Sequence, residues 1–154
     1  MLVFGRSNPN RKMYPIVFGL VSNEETFDFL HFFESIKSLC RFFNINFEVR
    51  FLMQDAQAAC AAAAKQSFPN VIVLMCWFHL KQCVKKHLDV KKCKQFKQMI
   101  ENDITQMHYT MSLENFEMVK GEALARWSLY QDLNDFGIYF NSQWLQSQWT
   151  NWKL

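Results

Sequence analysis

The chain has 154 residues, 50% of them hydrophobic, and a formal net charge of +3, which excludes a disordered tail and leaves room for a real core. Its five cysteines are an odd number without paired spacing, so a reduced intracellular compartment is expected rather than a disulfide scaffold. No apolar run reaches the roughly 18 residues of a membrane span, and the start, Met1 to Arg6, is too short in apolar length for a signal peptide.

In chain order, the apolar start and the polar stretch Arg6 to Lys12 read as a strand entering a hairpin turn, with Tyr14 to Val21 as the returning strand. Pro15 lies near the beginning of that strand, where a missing N–H is least costly. Ser22 followed by Glu25 predicts a capping box, and Phe27, Leu30, Phe33, Ile36, Cys40 and Phe43 recur at helical spacing, so a helix is expected over about 24 to 43. Asn44-Ile45-Asn46 breaks it. Phe47 to Gln54 then reads as a strand leading to Asp55, and Ala56 to Ser67 as an alanine-rich helix whose small side chains permit close packing on a sheet.

Phe68-Pro69-Asn70 stops that helix, and Val71 to Met75 is a continuous apolar run expected of a strand buried on both faces. It delivers Cys76-Trp77-Phe78-His79 into a chain that reads as helical from Phe78 onward. Ser112 can cap a helix running through Phe116, Val119, Leu124 and Trp127. Phe136, Phe140, Trp144 and Trp152 fall roughly on one side of the last segment, with Tyr139, Leu145 and Trp149 widening it. The expectation is an α/β part over residues 1–80 and an all-helical part over 81–154.

Charge is concentrated in one stretch. Residues 81 to 97 carry Lys81, Lys85, Lys86, Lys91, Lys92, Lys94 and Lys97 against Asp89 alone. Such a block is either a solvated helix face or a contact for an anionic partner such as DNA, whose affinity would then depend steeply on salt. The sixteen phenylalanines and five tryptophans imply an aromatic-rich core, or surface meant for neighbours. Glu101, Asp103, Glu114, Glu117 and Glu122 read as solvated helix charges.

From Asp55 to His79 the order Asp, Ala, Ala, Phe-Pro, Cys, Phe-His resembles the Mutator-like element (MULE) transposases. Tyr14 to Phe18 with Ser22-Asn23 and Thr26-Phe27 is similar to an earlier strand and helix of that family, and Tyr139-Phe140 with Trp144 and Trp152 to its later aromatic positions. The resemblance implies a partial RNase H-like fold followed by a helical insertion-type segment. It also implies DNA strand cleavage and transfer by three acidic residues holding two Mg or Mn ions. Two metals about 3.5–4 Å apart stabilise the attacking and leaving oxygens of an in-line displacement. Asp55 matches the second acidic position, and Cys76 with His79 the family's Cys-x-x-His pair. The resemblance places the first acidic residue on a strand before Met1 and the third beyond Leu154. This chain alone is therefore expected to be inactive.

By the same resemblance the strand before Met1 is central in the sheet, between the hairpin of residues 1–21 and the strand ending at Asp55. Its loss leaves backbone groups unpaired on both neighbours, at roughly 1–3 kcal/mol for each buried orphan, so the chain alone is expected to be marginally stable. A nuclear location, DNA and other transposase subunits as partners, and no membrane are also implied.

Each residue keeps a plainer alternative. Asp55 before an alanine helix can be an N-cap. Cys76 and His79 can ligate zinc, brace the helix or simply pack. Cys83 and His87 extend the same stripe, but eleven residues of helix span about 16 Å, too far for one ion. Any zinc would need two ligands from elsewhere, and the sequence alone does not place Cys40, Cys60, Cys93 or His108. Cys60 and Cys83 are expected to pack as small hydrophobes, and the tryptophans to form core or a protein interface. The function expected is that of a catalytically incomplete transposase fragment, or of a DNA- or protein-binding module derived from one.

Overall fold

A computed structural model describes residues 1–8, 10, 12–89 and 92–152; of the basic stretch, Lys91 lies outside the described residues. The architecture is mixed α/β and divides into two compact units, Met1–Val73 and Leu74–Leu154.

Unit 1 opens with Leu2–Ser7 (β1) and Met13–Gly19 (β2), paired antiparallel with Val3 opposite Phe18 and a bulge between Phe4 and Gly5. Gly5 is required there, since a Cβ would stand 2.3 Å from the Tyr14 carbonyl oxygen. Helix Thr26–Phe42 (α1) starts later than the Ser22 signal suggests. Its capping box is Glu25 with Asp28: the Glu25 N–H donates to the Asp28 carboxylate at 3.2 Å, and the Glu25 side chain accepts in return. The carboxyl pair outcompetes the Ser22 hydroxyl because each side chain satisfies a backbone donor of the other. At the far end Asn44 takes a left-handed φ of 52°. The Ile45 N–H then reaches the Cys40 carbonyl at 2.8 Å and the Asn44 N–H the Arg41 carbonyl at 3.1 Å, a Schellman closure that explains the break at Asn44.

The strand expected from Phe47 is confined to Phe51–Gln54 (β3). It pairs with the beginning of Ile72–Met75 (β4), where the Ile72 N–H donates to the Arg50 carbonyl at 2.8 Å. Phe47 and Val49 instead pack sideways into the core, and Phe47 meets the rings of Phe4 and Phe68 at 5.9 Å. β4 is not buried on both faces as its apolar run suggested: Ile72 is exposed and Val73 half-buried. The two strand pairs form separate two-stranded ribbons.

Helix Ala58–Ser67 (α2) begins after Gln57, which occupies the cap position without a side-chain bond. Asp55 is therefore not the N-cap; its carbonyl instead accepts from the Gln57 N–H at 2.7 Å in a turn before the helix. Ala61, Ala63 and Ala64 are buried, and their small size lets α1 and α2 pack together. Phe29, Phe32, Phe33 and Ile36 of α1 join Leu2, Leu52, Cys60 and Phe68 in one core. The Lys37 ammonium ties the helices by donating to the Ser67 carbonyl at 3.0 Å.

Unit 2 is helical beyond the end of β4. Its helices are Trp77–Leu88 (α3), Lys97–His108 (α4), Leu113–Ser128 (α5) and Asn134–Phe140 (α6), and the last runs on into a wider turn over Asn141–Leu145. Ser112 caps α5 as its spacing suggests, its hydroxyl accepting from the Asn115 N–H at 3.1 Å. Leu80, Val84 and Leu88 recur every fourth residue and bury one stripe of α3. They share the unit with buried Ile100, Ile104, Phe116, Trp127, Phe140 and Trp144. Asp103 departs from its expected role as a solvated charge. It is buried, accepts from the Trp127 indole N–H at 2.7 Å and has the Arg126 guanidinium at 3.6 Å. Those two partners supply the compensation that a buried carboxylate needs.

Candidate functional site

Asp55 follows the last residue of β3 and is exposed. One turn into α2 lies Cys60, whose thiol is pushed up from 9.0 to about 12 by burial and, second, by the Asp55 charge. A thiol so protonated is neither a nucleophile nor a ready metal ligand. Among the described residues no three His, Cys, Asp or Glu side chains are grouped to hold a metal ion. The donor set at Asp55 therefore does not fit the pair of divalent ions that the resemblance implies, which takes several carboxylates.

Cys76 is the residue before α3, with an extended ψ of 117°, and is half-buried; His79 is in the first turn and exposed. Because Cys76 precedes the helical backbone, the pair does not form the simple helical stripe that spacing suggests. A closed zinc site needs four ligands, and the described residues bring no third to this pair. Farther along α3, His87 is engaged elsewhere. Its Nδ1–H donates to the Cys83 carbonyl at 3.0 Å, and its ring stacks on Tyr139 at 3.6 Å. The Tyr139 hydroxyl in turn accepts from the Trp144 indole N–H at 2.9 Å, and burial, the larger effect, raises its pKa. Cys93 is buried, and its thiol donates to the Asp132 carbonyl at 3.6 Å.

The basic stretch is where the sequence concentrates charge, and unit 2 sorts its lysines into two kinds. Lys81, Lys85, Lys86, Lys92 and Lys94 are exposed. Lys97 is half-buried and donates to the Asp89 carboxylate at 2.8 Å, which holds the ammonium above and the carboxyl below their ordinary values. Among the described residues it is the one lysine of this stretch in an ion pair. Lys81 reaches back one turn to Trp77, its ammonium 5.5 Å from the ring centroid. Trp77 is also held from the other residues of unit 2, its ring stacked on that of His108 at 4.1 Å and 8°.

Trp77 is the residue that sequence patterning passed over. The signal was present as an aromatic four positions before Lys81 and eight before Lys85, which puts all three on one helical face. Across from it, α4 presents Gln98, Glu101 and Asn102 around a shared cleft. No helix among the described residues is long and apolar enough to cross a membrane.

No curated protein and no solved structure matches the chain. The family model of the MULE transposase domain, however, matches residues 1–83. That span takes in both ribbons, α1, α2, Asp55, Cys76, His79 and the first turns of α3. With more than half of its length so matched, the chain belongs to the MULE transposase domain family.

Proposed function

We propose that this chain is a DNA-contacting part of a MULE-type transposase that does not itself cut DNA. The observation that carries the reading is the row of five exposed lysines on α3 and the turns after it, none of them in an ion pair among the described residues, whereas Lys97 beside them is paired with Asp89. Ammonium groups so placed bind phosphates as point charges without reading sequence. The absence of cutting rests on Asp55, which belongs to no group of three ligating side chains among the described residues.

An RNase H-like arrangement is the architecture proposed for unit 1. Two ribbons that share one core but are not joined into a sheet support it, with room in the family pattern for a strand between β1 and β3. Mg or Mn would then be held only where further carboxylates joined Asp55. Zinc at Cys76 and His79 would likewise need ligands from outside the described residues. A nuclear location is part of the same proposal and rests on the family alone. A second reading, contact with other transposase subunits, is favoured by the apolar outer side of the ribbons, where Ile16, Phe18, Phe51 and Met53 are exposed.

Duplex binding measured against salt tests the first reading. Five engaged lysines predict a log–log slope of about −4 to −5, and a slope near zero would remove the lysines from the interface. Incubation of a supercoiled plasmid with the chain and manganese should leave it intact for both the native chain and Asp55→Asn. Nicking that disappears in Asp55→Asn would overturn the claim that the chain does not cut.

A further inference from the structure

Between α3 and α4, wholly inside unit 2, lies a cleft of about 280 Å³. Small-ligand pockets run from ~300 to 1,000 Å³; this one falls just under that range, so it suits one base with its sugar and phosphate at the mouth rather than a larger ligand. One wall is the half-buried Trp77, whose indole is held in plane by stacking on His108. Lys81 and Lys85 stand on the same wall one and two turns on, the Lys81 ammonium lying at the indole ring. The opposite wall is α4. There the Gln98 amide N–H donates to the Asn102 carbonyl oxygen at 2.9 Å, which fixes both amides. The Gln98 carbonyl oxygen, the Asn102 amino group and the half-buried Glu101 carboxylate are the polar edges that remain.

An aromatic plane, two ammonium groups and a row of amide and carboxylate edges match the parts of a nucleotide. A base stacks on an indole whatever its sequence. Phosphate oxygens pair with lysine, and amides recognise a base that offers both an amino group and a ring nitrogen, as adenine does. Bases inside a duplex have both faces already stacked and cannot offer one to Trp77 without being extruded.

The geometry points to this cleft as a site for one unpaired nucleotide of a DNA strand, with the base at Trp77 and its phosphate between Lys81 and Lys85. When the strand binds, the Lys81 ammonium leaves the ring for the phosphate. This inference rests on the DNA-contact reading and specifies it: the basic face prefers unpaired DNA. It separates the lysines that any DNA would use from a pocket that only an exposed base would fill.

The test is fluorescence anisotropy on the whole 154-residue chain. The probes are a short oligo-deoxyadenylate, oligo-thymidylate, a duplex of equal length and a strand of abasic sugars, all at one salt concentration. The adenylate strand should bind about tenfold tighter than the duplex and the abasic strand, as expected of one base–aromatic stack, and more tightly than thymidylate. Trp77→Leu should erase the preference over the duplex and leave duplex affinity unchanged. Asn102→Ala, at an exposed position, should lower adenylate affinity but not abasic affinity, and it carries the test if Trp77→Leu does not melt cooperatively.

An abasic strand that binds as tightly as adenylate would overturn the cleft while leaving the lysine face standing. So would a Trp77→Leu protein that keeps the preference. Failure of strand and duplex alike would overturn both. Displacement of the strand by an equal concentration of deoxyadenosine monophosphate would assign the cleft to free nucleotide and overturn the strand reading.

Discussion

In unit 2 the indoles of Trp127, Trp144 and Trp152 are at most 2% exposed, and each donates its N–H, to Asp103, the Tyr139 hydroxyl and the Trp144 carbonyl respectively. In unit 1, Ile16, Phe18, Phe51 and Met53 are all at least 60% exposed. The same aromatic-rich composition thus yields a closed core in one unit and a half-covered one in the other. Backbone geometry explains the difference. Helices satisfy their own N–H and C=O groups, so packing side chains is enough to close a helical core. A two-stranded ribbon keeps unpaired edges and two faces, and needs further strands or a second layer to be covered. Here α1 and α2 supply one layer only.

The largest expected effect breaks the closed side of this comparison. Trp127→Ala removes a buried ring that meets Phe136 and Phe140 at 5.4 Å and leaves Asp103 buried without its indole partner. Loss of such a ring costs ~3–5 kcal/mol, read as a shift of the urea midpoint followed by helical ellipticity. A loss below about 1 kcal/mol would mean that unit 2 repacks freely and is not the closed core described.

Next in size is a change to the hairpin. Gly5→Ala places a methyl group against the Tyr14 carbonyl, where a Cβ would stand 2.3 Å away. Since the obstacle is backbone, β1 and β2 must shift apart at the bulge, at ~1–3 kcal/mol for overpacking of this kind. Amide exchange should quicken across Leu2–Ser7 and Met13–Gly19. Unchanged protection there would mean that the bulge relaxes at no cost, and that the ribbon is looser than its register implies.

Periodicity and turn chemistry made the order of elements legible from the sequence, as at Ser112, where a hydroxyl one residue before an apolar repeat does cap α5. The misplaced details share a cause, which is competition between neighbouring groups. Glu25 and Asp28 displace Ser22 as the capping pair, and Gln57 displaces Asp55 as the first cap of α2. A propensity rule ranks residues singly and cannot settle which of two adjacent candidates wins. Asp103 was illegible for a different reason. Its burial depends on Trp127, 24 positions away, and no local pattern carries that contact. The lysine block could be read directly, whereas the withdrawal of Lys97 by Asp89 and the placing of Trp77 under Lys81 needed the helices in place.

The smallest expected effect sharpens the comparison most, because it sets the two faces of one ribbon against each other. Phe18 is 62% exposed, while its neighbour in sequence, Val17, belongs to the core beneath, together with Phe33 at 3%. Phe18→Thr replaces one strand-favouring residue by another and removes only surface, so stability should stay within about 0.5 kcal/mol. Phe33→Ala should cost ~3–5 kcal/mol. Midpoints of thermal unfolding at two protein concentrations measure both. If Phe18→Thr costs as much as Phe33→Ala, and more so at the higher concentration, the outer face is buried in solution against another copy. The aromatic surface of unit 1 would then be an interface, and the half-covered core a property of the isolated chain alone.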